Sequence, residues 1–148
     1  ATPAVASAFA KTFEQARAEQ RLQGKRFGEL QKDVKRLRES ILRSEEKNID
    51  TVMPTIVKLE SDIEAMKVRL NGQPSRRKIG EKSNPTVNSR LGETRGAFNS
   101  SYGPTGTAQT NLKLIQTELK SNSSDLAKME ALLEELKEDT KEWAMPKF

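Results

Sequence analysis

The sequence predicts an all-α protein, an antiparallel up-down-up-down four-helix bundle whose long first and fourth helices extend beyond the others as a two-helix, coiled-coil-like stalk. Three observations lead there. Leu112, Ile115, Leu119, Asn122, Leu126, Met129, Leu133, Leu136, Thr140 and Trp143 recur at alternating steps of three and four, the seam of one long amphipathic helix. Phe9, Phe13, Ala16, Gln20, Gln23, Phe27, Leu30, Val34, Leu37 and Ile41 repeat with the same period near the start. Charged residues (32%) nearly equal hydrophobic ones (34%) and only 5% are aromatic, a balance that suits long two-faced helices better than a thick core.

The first helix begins at Thr2-Pro3, a cap and first-turn proline, and runs to about residue 47. Gly24 and Gly28 lie inside it, beside the seam, where they read as places for a neighbouring helix to come close. Asn48 to Asp50 make a turn, with Asp50 as a candidate cap, and Pro54 falls in the next first turn, where its missing N–H costs nothing. Val52, Ile56, Leu59, Ile63, Met66 and Leu70 then define a helix over 51–71 that stops at Asn71-Gly72. Residues 73–84 form a basic loop. Asn84-Pro85 opens a third helix over 85–101 with Val87, Leu91, Thr94 and Phe98 on one face, and Gly92 and Gly96 give it a flat side for packing. The fourth spans 107–143, about 55 Å at 1.5 Å per residue.

Short connections suggest antiparallel neighbours. Setting residue 47 beside residue 107 places the four-helix part at residues 27–47 and 107–125, and leaves 4–26 against 126–143 as the stalk. Charge agrees with that pairing. Residues 4–26 hold Lys11, Arg17, Arg21, Lys25 and Arg26 against Glu14 and Glu19, net +3, while 126–143 hold six acids against three lysines, net −3. In this register Trp143 faces Phe9 at the base, and Gln20 and Gln23 are polar breaks in the seam that fix its alignment.

The net charge of +5 is small beside 26 basic and 21 acidic residues interleaved along helices, so it mostly describes solvated faces. With no Cys and no His, thiolate sites and the commonest catalytic base are missing. No apolar run approaches the ~20 residues of a membrane span, and residues 1–10 lack the basic start and leucine-rich middle of a signal peptide. Opening on Ala rather than Met, the chain reads as a piece excised from a larger protein. Sustained periodicity favours folded helices over disorder.

No constellation specifies a chemical activity. Glu45 with Glu46, or Glu134 with Glu135 and Glu138, fall off the seams and read as solvated face rather than paired catalytic carboxylates. The expectation is therefore no catalytic residue, no metal site and no cofactor. Arg76, Arg77, Lys78 and Lys82 against Glu81 alone form the one stretch suited to an anion or an acidic partner, although a loop without aromatics is a weak basis for nucleic-acid binding. Phe9, Trp143, Met145 and Phe148 are candidate docking residues for an upstream domain or another protein. The stalk seam is open to a second copy of the chain, which would make a homodimer.

The run from Asn71-Gly72, through Arg76-Arg77 and Asn84-Pro85-Thr86-Val87-Asn88-Ser89-Arg90-Leu91, to Pro104-Thr105-Gly106-Thr107-Ala108-Gln109 and Trp143 with Met145-Pro146-Lys147-Phe148 resembles the C-terminal helical region of large bacterial proteins. These are the sortilin-like, BNR-repeat β-propeller proteins, often labelled glycosyl-hydrolase-like. The resemblance implies an exported protein whose propeller lies upstream and carries any sugar chemistry. The Ser-x-Asp-x-Gly-x-x-Trp pattern of such blades does not occur here, and no catalytic residue carries over. The expectation is a non-catalytic structural or interaction domain; the alternative is a basic nucleic-acid-binding module.

Overall fold

The computed structural model describes residues 3–44, 49–72, 86–99 and 106–143. The described residues fold as an all-α bundle of four helices: α1 (Pro3–Arg43), α2 (Met53–Asn71), α3 (Val87–Asn99) and α4 (Gly106–Thr140). Two are long and pack together along their length, as the seams require. At 41 residues, α1 spans about 60 Å. The turn near 45–48, the basic loop, the Asn84-Pro85 pair, the residues after 99 up to 105, and Met145 to Phe148 lie outside the described residues.

The seams are buried as the periodicity predicts. On α4 every seam position from Leu112 to Thr140 is buried and Trp143 is partly buried; on α1 only Gln20 among the seam residues is not fully buried. Local signals also behave as expected at several ends. Pro54 sits in the first turn of α2, and α2 ends at Gly72, whose φ of 85° with ψ of −179° is a positive-φ conformation that glycine adopts freely. The start of α3 is held by a reciprocal cap: Ser89 N donates to Thr86 Oγ1 at 3.1 Å and Thr86 N donates to Ser89 Oγ at 2.9 Å.

The direction and register of the long pair differ from the expectation. Gln23 bonds to Leu119, Arg26 to Ser123 and Glu130, and Asp33 pairs with Lys137, so α1 and α4 run parallel. Arg38 pairs with Glu60, while Arg69, nine residues further along α2, pairs with Asp125 near the level of Arg26 and Ser123, so α2 runs against α1 and α4. α3 starts beside Gly72 and continues to the level where Arg90 meets Glu118, so it too runs against α4. The short helices lie end to end rather than side by side. A Cβ added at Gly72 would meet Thr86 Cγ2 at 3.4 Å, so the end of one adjoins the start of the other. The order is up-down-down-up, and among the described residues α1 and α4 do not extend as a two-helix stalk, since α2 or α3 packs on them at each level.

The core accordingly divides in two. An upper cluster joins Phe27 to Ile41 of α1, Val52 to Met66 at α2 and Leu126 to Leu136 of α4. A lower one joins Phe9, Phe13 and Ala16 of α1, Val87 and Leu91 of α3, and Ala108 to Leu119 of α4. Each level is thus built from α1, α4 and one short helix.

Three local expectations are corrected. Asp50 lies in a short 3-10 turn, Ile49–Thr51, and the cap position of α2 is Val52 with no side-chain cap bond; the 3-10 turn feeds straight into the helix, with Val52 N donating to Ile49 O. Gly24 and Gly28 do not admit a close neighbour, because a Cβ there would meet nothing within 4 Å, and the same holds for Gly92 and Gly96. All four lie beside the buried seams, with open space where a Cβ would stand.

Candidate functional site

The polar chemistry inside the bundle gathers between the two apolar clusters, at the level where α2 gives way to α3. Gln23 and Asn122, both fully buried, occupy seam positions of α1 and α4. The Gln23 amide Nε2 donates to the Leu119 carbonyl at 2.6 Å and to Glu19 at 3.1 Å. Arg69, from the last turn of α2, reaches over α4 and donates to Asn122 Oδ1, to Asp125 at 2.6 Å and to Ser121. Gln23 Oε1 and Asn122 Nδ2 are left without a partner. One is an acceptor and the other a donor, so the layer is polar but incompletely satisfied.

Ion pairs between helices tie the levels on either side. Arg26 forks onto Glu130, with Nη2 to Oε1 at 2.5 Å, and also donates to Ser123. The hydrogen bonds that Arg26 donates to the Glu130 carboxylate are the main reason its guanidinium holds its proton above its ordinary range, burial opposing them. Arg38 with Glu60 and Arg90 with Glu118 make comparable ties. These groups face partners on the next helix; they are positioned for packing.

The residues singled out from sequence do not form one site. Phe9 is buried in the lower cluster and stacks on Phe13 with ring centroids 6.4 Å apart. Trp143 packs against the upper cluster. The parallel arrangement puts them at opposite ends, so the expected common base around Phe9 and Trp143 is not formed. Arg76, Arg77, Lys78, Lys82, Met145 and Phe148 lie outside the described residues, as do Glu45 and Glu46. Of the acidic run on α4, Glu134 pairs with Lys137 and Glu138 with Lys141 on the helix surface.

Among the described residues no group of three or more acidic side chains is placed to hold a metal ion, and no helix is long and apolar enough to cross a membrane. The surface carries shallow interhelical clefts. One of about 340 Å³ lies between α2 and α4, where Lys58 and Asp62 pair with each other and Arg69 pairs with Asp125. A second, of about 460 Å³, lies between α1 and α3 and is lined by arginines that sequence reasoning did not bring together. They are Arg17 and Arg21, one turn apart on α1, and Arg95, which joins them only through the packing of α3 on α1. No protein-family description, no curated protein and no solved structure matches this chain.

Proposed function

We propose that this chain is a non-catalytic helical domain, a structural or protein-interaction appendage at the C-terminal end of an exported bacterial propeller protein. The observation that carries the non-catalytic part is the use made of its polar side chains. Arg26, Arg38, Arg69 and Arg90 reach across to carboxylates on neighbouring helices, and Glu134 and Glu138 of α4 pair along their own helix. Among the described residues such pairs hold helices in register and commit their charges to packing rather than to a common point. A rod of about 60 Å with its core threaded along it is suited to spacing or docking other domains. The appendage, its export and its bacterial origin rest on the resemblance in residues 71–109 and 143–148, and the partner in this reading is the upstream domain or another protein.

The test joins this chain to whatever sequence precedes it in its gene. A propeller upstream, with glycan hydrolysis abolished by substitutions in that propeller and unchanged on deleting the helical chain, is the expected result. Hydrolysis of any glycan by the isolated chain would overturn the non-catalytic reading. Steeply salt-dependent oligonucleotide binding, lost on neutralising Arg76, Arg77 and Lys78, would favour a nucleic-acid module instead.

A further inference from the structure

In the cleft between α1 and α3, arginines converge from two helices and no carboxylate lines the space between them. Elsewhere an arginine that reaches a neighbouring helix finds a carboxylate, as in Arg26–Glu130, Arg38–Glu60, Arg69–Asp125 and Arg90–Glu118. Here Arg17, Gln20 and Arg21 of α1 stand against Asn88, Gly92 and Arg95 of α3, and no carboxylate lines the space. Arg17 has Glu14 at 3.1 Å on its own helix. Neither Arg21 nor Arg95 has a hydrogen-bond or ion-pair partner among the described residues. Gly92 leaves room on the α3 wall, since a Cβ there would meet nothing within 4 Å.

With Arg17 already paired to Glu14, Arg21 and Arg95 are left as positive charges on facing walls, and an anion between them offsets their repulsion. A planar guanidinium fork matches the oxygens of a phosphate or sulfate group two at a time, and the amides of Gln20 and Asn88 add neutral donors. Arg17 and Arg21 are one helical turn apart, with Cβ atoms roughly 6 Å from each other, a spacing that two linked anionic groups can bridge. Size and surface set the class further. The cleft is about 460 Å³, within the range of small-molecule sites, and its aromatic residue, Phe13, is buried in the core and offers no face for stacking a base.

We propose that the α1–α3 cleft binds a compact polyanion carrying two or more phosphate or sulfate groups. Arg21 and Arg95 clamp it from opposite walls, and Arg17 completes the charge.

Titration calorimetry on the whole chain at low ionic strength tests this with tripolyphosphate as the phosphate probe, sucrose octasulfate as the sulfate probe and orthophosphate as the single-group comparison. The expected result is saturable binding of one or both polyanions, about tenfold or more tighter than orthophosphate, the stronger probe naming the source. Arg21→Gln and Arg95→Gln each weaken it several-fold and together abolish it, with helicity and melting unchanged. Arg43→Gln, remote from the cleft and bonded to the Glu39 carbonyl, leaves it intact. No saturable binding of either polyanion, or equal weakening by Arg43→Gln, overturns the proposal. So does an oligonucleotide whose binding depends on Arg21 and Arg95 when tripolyphosphate and sucrose octasulfate do not bind.

Discussion

Gln23 Nε2 donates a 2.6 Å hydrogen bond to the backbone carbonyl of Leu119, a residue 96 positions further along the chain. That bond lies in the polar layer between two apolar clusters and ties α1 to α4 at one level. Its benefit is offset by Gln23 Oε1, buried with no partner, because an unmet buried acceptor costs about 1–3 kcal/mol. Gln23→Leu, of similar size, therefore raises stability by about 1 kcal/mol in urea unfolding. Gln23→Ala leaves a cavity instead and lowers it by about 2 kcal/mol. A marked loss of stability in Gln23→Leu would show that the bond to Leu119 outweighs the orphaned oxygen.

Ile115 and Leu114 are neighbours on α4 with opposite fates, 0% and 48% exposed. Ile115→Ala removes packing at the centre of the lower cluster and costs about 2–5 kcal/mol. Leu114→Ala stays within about 0.5 kcal/mol of the parent. Chemical denaturation of the two variants decides the matter, and equal losses would contradict the placement of this face.

That contrast was legible in the sequence, since steps of three and four mark which face of a helix is buried. Direction was not. A seam with that period reads the same whether its partner runs parallel or antiparallel, so Phe9 to Ile41 could be laid on Leu112 to Trp143 either way round. Opposite net charges on residues 4–26 and 126–143 favoured the wrong choice, because each exposed charge contact is worth only about 0.2–1 kcal/mol and cannot outweigh connectivity. The deciding fact is that α2 and α3 lie end to end, meeting at Gly72 and Thr86, which returns the chain to the starting end before α4 begins. The arginine cleft was hidden for the same reason. Arg95 stands beside Arg17 and Arg21 only once the packing of α3 is known; alone, each reads as solvated surface.

Spin labels test the parallel arrangement directly, and the absence of native cysteine makes attachment sites simple to introduce. Thr12 and Gln116 line the same α1–α4 groove, so labels at Thr12→Cys and Gln116→Cys report a short separation. Moving the second label to Glu138, 22 residues along α4, adds about 33 Å along the axis. An antiparallel pair would reverse the two readings.

Arg26 and Glu130 provide an electrostatic test. The guanidinium pKa is raised by the bond it donates to Glu130, so the stability it contributes is fully present below the unfolded-state value and lost only as pH rises through the still higher folded value. Between pH 6 and 9 this contribution stays constant. Both side chains are partly exposed, at 23% and 39%, so the coupling in a double-mutant cycle of Arg26→Ala and Glu130→Ala is about 0.5–1 kcal/mol and shrinks in 1 M salt. Coupling that persists undiminished at high salt would point to packing rather than charge.

Gly24 and Gly28 lie inside a continuous helix, in a conformation alanine shares, with nothing within 4 Å of an added Cβ. Alanine at each position loses less backbone freedom on folding and gains about 0.5–1 kcal/mol. Gly72 provides the opposite case. Its φ of 85° is unfavourable for any residue with a Cβ, and the added methyl would stand 3.4 Å from Thr86 Cγ2. Gly72→Ala therefore destabilises by about 1 kcal/mol or more. It does so at the join between α2 and α3, so hydrogen exchange quickens at the end of α2 and the start of α3 before it changes in the upper cluster. A melting series in which all three alanines shift stability the same way would refute the difference in backbone geometry between the two settings.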